Sequence, residues 1–125
     1  MRPDDCKYLD THEWARMDGD LVVVGITDFA VEELSNGNEG DLVYVDMPDI
    51  GREIEQGETF GEIESVKATS ALYCGIAGEV VEVNQAVVDN PALVNDDPFG
   101  EAWIIKVKPS DAAQLESLKS AADYD

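Results

Sequence analysis

Three hexapeptides restrict what this chain can become. GDLVVV at 19–24, GDLVYV at 40–45 and GEVVEV at 78–83 each place a glycine and an acid before β-branched or aromatic residues, the signature of a strand entered from a turn. The second and third open parallel stretches. Turn signals follow the second at Pro48-Asp49, Gly51 and Gly57, and the third at Asn90-Pro91 and Asp97-Pro98. FGE recurs at 60–62 and 99–101, so Phe60 and Phe99 stand at nearly the same interval as Gly40 and Gly78. Two similar β half-units follow, with their seam near Lys67. Strands this short and this densely punctuated make a small sandwich or a flattened barrel.

Helix is confined to the edges. TDFAVEEL at 27–34 makes two turns capped by Thr27 or Asp28. SDAAQLESLK at 110–119 has Ser110 as a cap after Pro109, an early Asp111, and an apolar line through Ala112, Leu115 and Leu118. SNGNEGD at 35–41 is polar and rich in Gly and Asn, and is expected to be an exposed loop.

At 125 residues the chain is one domain's worth of material, with a core over about 8–109 and a C-terminal helix over about 110–120. Its 28 acidic residues against 8 basic ones leave a net charge of -20. The acids are interleaved with Val, Ile and Leu, which describes a solvated negative surface and not a disordered acidic tail. Such a field excludes nucleic acid, whose phosphates need clustered Lys and Arg, and favours partners with basic docking surfaces. General solubility or a salty cytoplasm accounts for the same charge equally well.

Cys6 and Cys74 lie far apart with no C-x-x-C spacing, so two reduced thiols are expected and neither a zinc site nor a disulfide framework. The acidic opening MRPDD has no apolar targeting region, and no apolar run reaches membrane-spanning length. A soluble cytoplasmic protein is the expectation, or a mitochondrial matrix protein from which a transit peptide has been removed.

Catalytic signatures are missing. His12 is the sole histidine, and the sequence has no G-x-S-x-G, no metal-ligand spacing, and no Walker or dinucleotide glycine pattern. What remains is Lys67 in EIESVKATSALY at 62–73, the only Lys or Arg between Arg52 and Lys106. With 60–66 as one strand and 69–73 opening the next, Val66, Lys67 and Ala68 form a hairpin tip and the ammonium stands in solvent, although no Asn-Gly or Asp-Gly marks the turn. Solubility alone explains many such lysines. An unshifted ammonium is a poor nucleophile, so any function must come through covalent modification or recognition. Ser65, Ala68, Thr69 and Ser70 are small enough to leave room for a modifying enzyme.

ESVKA around Lys67 resembles the lipoylation site of the H-protein family of the glycine cleavage system. The likeness continues in THEW at 11–14, VGITDFA at 24–30, GDLVYVDMP at 40–48, AGEVVEVN at 77–84 and NPALVNDDPFGEAWIIKVKPSD at 90–111, covering about 8–118. The resemblance implies a mainly β barrel-sandwich hybrid of the lipoyl/biotinyl-carrier type, two quasi-symmetric β half-units with short peripheral helices. It implies lipoic acid amide-linked to Lys67, with Glu64, Ser65, Val66 and Ala68 read by the modifying enzyme, a lipoate ligase or a lipoyl/octanoyl transferase. Thr11, His12 and Glu13 would contact the loaded arm.

A monomeric, non-catalytic carrier follows from the same resemblance. It would move the aminomethyl group of glycine from the P-protein (glycine decarboxylase) to the T-protein (aminomethyltransferase) and be reoxidised by the L-protein (dihydrolipoamide dehydrogenase). Two departures stand out: Ala71 replaces an Asp that many members have four residues after the lysine, and SNGNE at 35–39 lengthens the loop before Gly40. Two other readings stay open, an H-like relay donating lipoyl groups to other lipoyl domains and an unmodified β interaction module.

Overall fold

The computed structural model describes residues 6–35, 42–66 and 69–124. In chain order they form β1 (Lys7–Tyr8), β2 (Glu13–Asp18), β3 (Leu21–Ile26), α1 (Asp28–Ser35), β4 (Leu42–Asp46), β5 (Glu53–Ile54), β6 (Thr59–Ser65), β7 (Thr69–Tyr73), β8 (Gly78–Val83), α2 (Gln85–Asp89), α3 (Leu93–Asp96), β9 (Ile105–Pro109), a 3-10 helix (Ala112–Ser117) and α4 (Ala121–Tyr124). All three hexapeptides therefore carry strands: β3, β4 and β8. The exposed loop expected at 35–41, lengthened over 35–39, loses Ser35 to the end of α1 and from 36 onward lies outside the described residues.

Two antiparallel sheets share one core, the mainly β architecture expected. One has six strands in the order β1-β2-β3-β9-β8-β5, and the other has three in the order β4-β6-β7. Val22, Val24, Ile105 and Val107 from the first meet Val45, Phe60, Ile63 and Leu72 from the second in a single buried cluster. Each half-unit supplies strands to both sheets, because β5 leaves its sequence neighbours to pair with β8. The second FGE copy does not follow the first. Phe60 sits in β6 within the core, whereas Phe99 occupies the turn after α3 and packs against the rings of Tyr8 and Trp14, with centroids 6.3 Å and 6.1 Å away.

A smaller cluster covers the outer face of the six-stranded sheet. Cys6, Tyr8, Trp14 and Val23 are buried there, with Phe99, Trp103 and Tyr124 packed against them. Alternation along β3 thus serves two cores, Val22, Val24 and Ile26 facing the other sheet and Val23 facing outward. Gly25 stands opposite Trp14 in the β2–β3 ladder, and a Cβ there would meet the indole at 2.6 Å. Only glycine lets the ring lie on the strand.

Helix starts agree with the sequence at one end and not at the other. Thr27 begins α1, its hydroxyl accepting from the Ala30 N–H at 3.3 Å. The helix read over 110–119 is instead a 3-10 helix over Ala112–Ser117, capped by Asp111, whose carboxylate accepts from the Ala113 N–H at 3.1 Å. Ser110 is taken by the sheet edge, since both its N–H and its hydroxyl donate to the Ala77 carbonyl. Further on, Lys119 exchanges backbone hydrogen bonds with Tyr8, at 2.9 Å and 2.8 Å. That bridge draws the chain into an extended conformation at Leu118 and stops the helix short of 119.

Candidate functional site

β6 and β7 pair antiparallel, with Glu64 opposite Thr69 and Ile63 opposite Ser70. Lys67 and Ala68 lie outside the described residues. Their surroundings are clear. Inward Phe60, Ile63 and Leu72 are buried and lock the register, because a slip of one residue would turn all of them to water. On the other face Glu62, Glu64 and Thr69 are exposed, Ser70 is exposed at the end of the inward face opposite Ile63, and Val66 is 71% exposed. Of the residues expected to be read by a modifying enzyme, Glu64 and Val66 are exposed, Ser65 is buried, and Ala68 lies outside the described residues.

The segment 11–13 is built to a different purpose. His12 has a φ of +76°, a left-handed conformation costly for a non-glycine residue. Several contacts hold it: its N–H donates to the Leu9 carbonyl, its carbonyl accepts from Thr27, Nδ1 pairs with the Tyr124 hydroxyl at 2.5 Å, and its ring lies 4.5 Å from that of Phe29. The Tyr124 hydroxyl also pairs with the Thr27 hydroxyl at 2.9 Å.

Glu13 is 1% exposed. One carboxylate oxygen accepts from the Thr11 hydroxyl and the other from the Tyr73 N–H at 3.0 Å. Glu13 therefore ties the six-stranded sheet to the far end of β7, the strand that descends from the hairpin. Burial raises its carboxyl to about 7, with the Thr11 and Tyr73 hydrogen bonds opposing that rise. Burial likewise pushes the neighbouring Cys74 thiol up to about 11, which makes it unreactive at neutral pH. Both cysteines are buried and outside any disulfide.

Beside this tie lies an open cleft of about 440 Å³, walled by Tyr8, Leu9, Thr11, Tyr73 and Leu118, with the Lys119–Asp10 ion pair at 2.7 Å on its rim. Of the three residues expected near a loaded arm, Thr11 lines this cleft, while His12 turns to Tyr124 and Glu13 is enclosed behind Thr11. The partners Tyr73, Thr27 and Tyr124 are not legible in the sequence, since each lies far along the chain from the residue it holds and no spacing rule joins them.

The model of the glycine cleavage H-protein family matches residues 6–125. The chain belongs to that family. It is 51% identical to the glycine cleavage system H protein of Bacteroides thetaiotaomicron over 98% of this chain and 93% of that protein. It is 50% identical to the one from Halalkalibacterium halodurans over 98% and 91%. Among solved structures, the H protein of Mycobacterium marinum superimposes with a TM-score of 0.86 at 40% identity, covering 98% of this chain and 95% of that one. Membership in the H-protein family gives the chain an H role in the glycine cleavage system. Among the described residues this H-protein has no group of three His, Cys, Asp or Glu able to hold a metal, and no helix long and apolar enough to cross a membrane.

Proposed function

We propose that the protein is a single lipoyl-carrier domain that takes lipoic acid as an amide on Lys67. It would carry the aminomethyl group of glycine from the P-protein to the T-protein and be reoxidised by the L-protein, itself catalysing none of these steps. The observation that carries this reading is the hairpin. Strands β6 and β7 pair antiparallel on either side of the stretch that in the sequence holds the one Lys or Arg between Arg52 and Lys106, and the described flanks Glu64, Val66, Thr69 and Ser70 are open to solvent, which supports the reading. These residues fit an amide-linked arm, because exposed neighbours, with Thr69 and Ser70 also small, leave an acylating enzyme room.

When bound, the lipoyl group supplies a disulfide that takes up the aminomethyl group and is restored by thiol-disulfide exchange. The chain's own residues do the positioning. Phe60, Ile63 and Leu72 hold the hairpin in register, and Glu13 fixes the lower end of β7 to the other sheet through the Tyr73 N–H. Thr11 and the apolar wall of the cleft offer a berth for the arm, with His12 and Glu13 shaping it from behind. A ligase would attach the group through Lys67, whose neutral amine would displace AMP from a lipoyl adenylate to form the amide and give its proton to solvent. A monomer in the cytoplasm, or in the mitochondrial matrix after loss of a transit peptide, suits this role.

Intact mass after incubation with lipoate, ATP and a lipoate ligase tests the reading. The wild-type chain should gain one lipoyl group, mapped to Lys67, and Lys67→Arg should gain none while melting at the same temperature, since Arg keeps the charge but cannot take the amide. A wild-type chain left unmodified alongside a control domain that is modified leaves only the interaction-module reading. Glycine exchange with P-protein then separates carrier from relay, because a relay is inactive in it.

A further inference from the structure

The three-stranded sheet leaves one end of its outer face apolar and uncovered. Val43 is 48% exposed, Tyr44 52% and Val66 71%. The ladder gathers them: Leu42 pairs with Ser65 and Tyr44 with Glu64, and the irregularity between Leu42 and Tyr44 is where Val43 turns out of the alternation. Cross-strand neighbours lie within about 5 Å and diagonal ones within about 8 Å, so the three side chains make one patch beside the hairpin. Asp46 and Glu62 face each other across the same two strands, and Glu64 stands opposite Tyr44, all exposed.

An apolar patch bordered by carboxylates selects among occupants. A second copy of a chain with a net charge of -20 is repelled, as are nucleic acid and an anionic membrane surface. The complementary face is an apolar pocket within a basic rim. Enzymes that act on the far end of a lipoyl arm can stop an arm's length from the sheet. The enzyme that installs the arm must bring its acyl carbon to bonding distance of the Lys67 nitrogen and so covers the ground around the hairpin.

Resting on the carrier reading above, we propose that Val43, Tyr44 and Val66, bordered by Asp46, Glu62 and Glu64, form the docking surface for the enzyme that acylates Lys67. Recognition then extends from the hairpin to the neighbouring strand β4. Its apolar part sets affinity and its carboxylates set the encounter rate and its dependence on salt.

Lipoylation kinetics, followed by intact mass with lipoate, ATP and a lipoate ligase, test this. The double variant Val43→Ser/Tyr44→Ser should raise KM about tenfold with kcat nearly unchanged, since it removes contacts made equally before and during the reaction. Glu62→Lys/Glu64→Lys should slow second-order modification at low salt and flatten its ionic-strength dependence. Ile50→Ser, at an apolar residue 65% exposed outside this sheet, should change neither. Wild-type rates in both double variants overturn the docking surface and leave the carrier reading intact, whereas a wild-type chain that is never modified overturns the carrier reading itself. Normal lipoylation of the variants followed by impaired glycine exchange with P-protein would assign the patch to the decarboxylase and also overturn the proposal.

Discussion

Five of the six residues of β3 are buried, while β7 exposes Thr69 and Ser70 and fully buries only Leu72 of its five. β3 runs between two apolar clusters, so each of its positions is answered by a neighbour: Val24 by the inter-sheet core, Val23 and Gly25 by Trp14 and its surroundings. β7 has a partner strand and a core on one side and water on the other. A strand packed on both faces serves as framework and tolerates little. A strand packed on one face can be held just as exactly by its inward residues while its other face stays available for chemistry.

The largest effect should come from the framework. Trp14→Ala empties the outer cluster and removes the indole hydrogen bonds to the Ile26 and Pro98 carbonyls, and should cost about 3–5 kcal/mol in denaturant unfolding. A loss below about 1 kcal/mol would show that the outer face of the six-stranded sheet is no second core.

The next test lies at the junction of the two regions, Glu13. Its folded carboxyl titrates near 7, above the ordinary 4.5. Between those values the folded chain keeps a proton that the unfolded chain has released. Glu13 therefore adds stability fully present below about pH 4.5 and lost as pH rises through 7, an effect of order 3 kcal/mol. The other groups of this acidic chain also titrate, so the measurement is the difference between wild type and Glu13→Gln across that range. The Gln variant lacks this slope, and parallel curves would mean that Glu13 is solvated in solution.

Asn84 sharpens the comparison from the other edge of the core. It caps α2 by accepting from the Ala86 N–H at 3.2 Å, and its amide donates to the Glu101 and Trp103 carbonyls at 2.9 Å and 2.7 Å. Asn84→Ala leaves both carbonyls short of a donor and should cost about 2 kcal/mol by thermal unfolding. Smallest of all, Thr69→Ala and Ser70→Ala should stay within about 0.5 kcal/mol of wild type. If either approached the Trp14→Ala value, the exposed end of β7 would be structural after all.

Much of this arrangement is legible from short stretches. The three hexapeptides, the strand pair around Lys67 and the Thr27 cap depend on residues within a few positions of one another, where alternation and capping chemistry act. The second FGE reads as a copy of the first, yet Phe99 is claimed by Tyr8 and Trp14 from distant strands. The C-terminal helix has the right periodicity for an α-helix, and Tyr8 ends it by capturing Lys119. THEW points to Glu13 without revealing that its carboxylate is enclosed, because Tyr73 lies 60 positions away.

By itself the sequence determined that this would be a β protein of two half-units with an isolated cation between them, since period-two alternation and turn residues act locally and leave few other folds. Tertiary structure alone decided which strands became neighbours, which face of each met water, and where buried Glu13 and Asn84 found partners. A buried polar group must be matched by whatever the fold brings beside it, and no local pattern encodes that distant match.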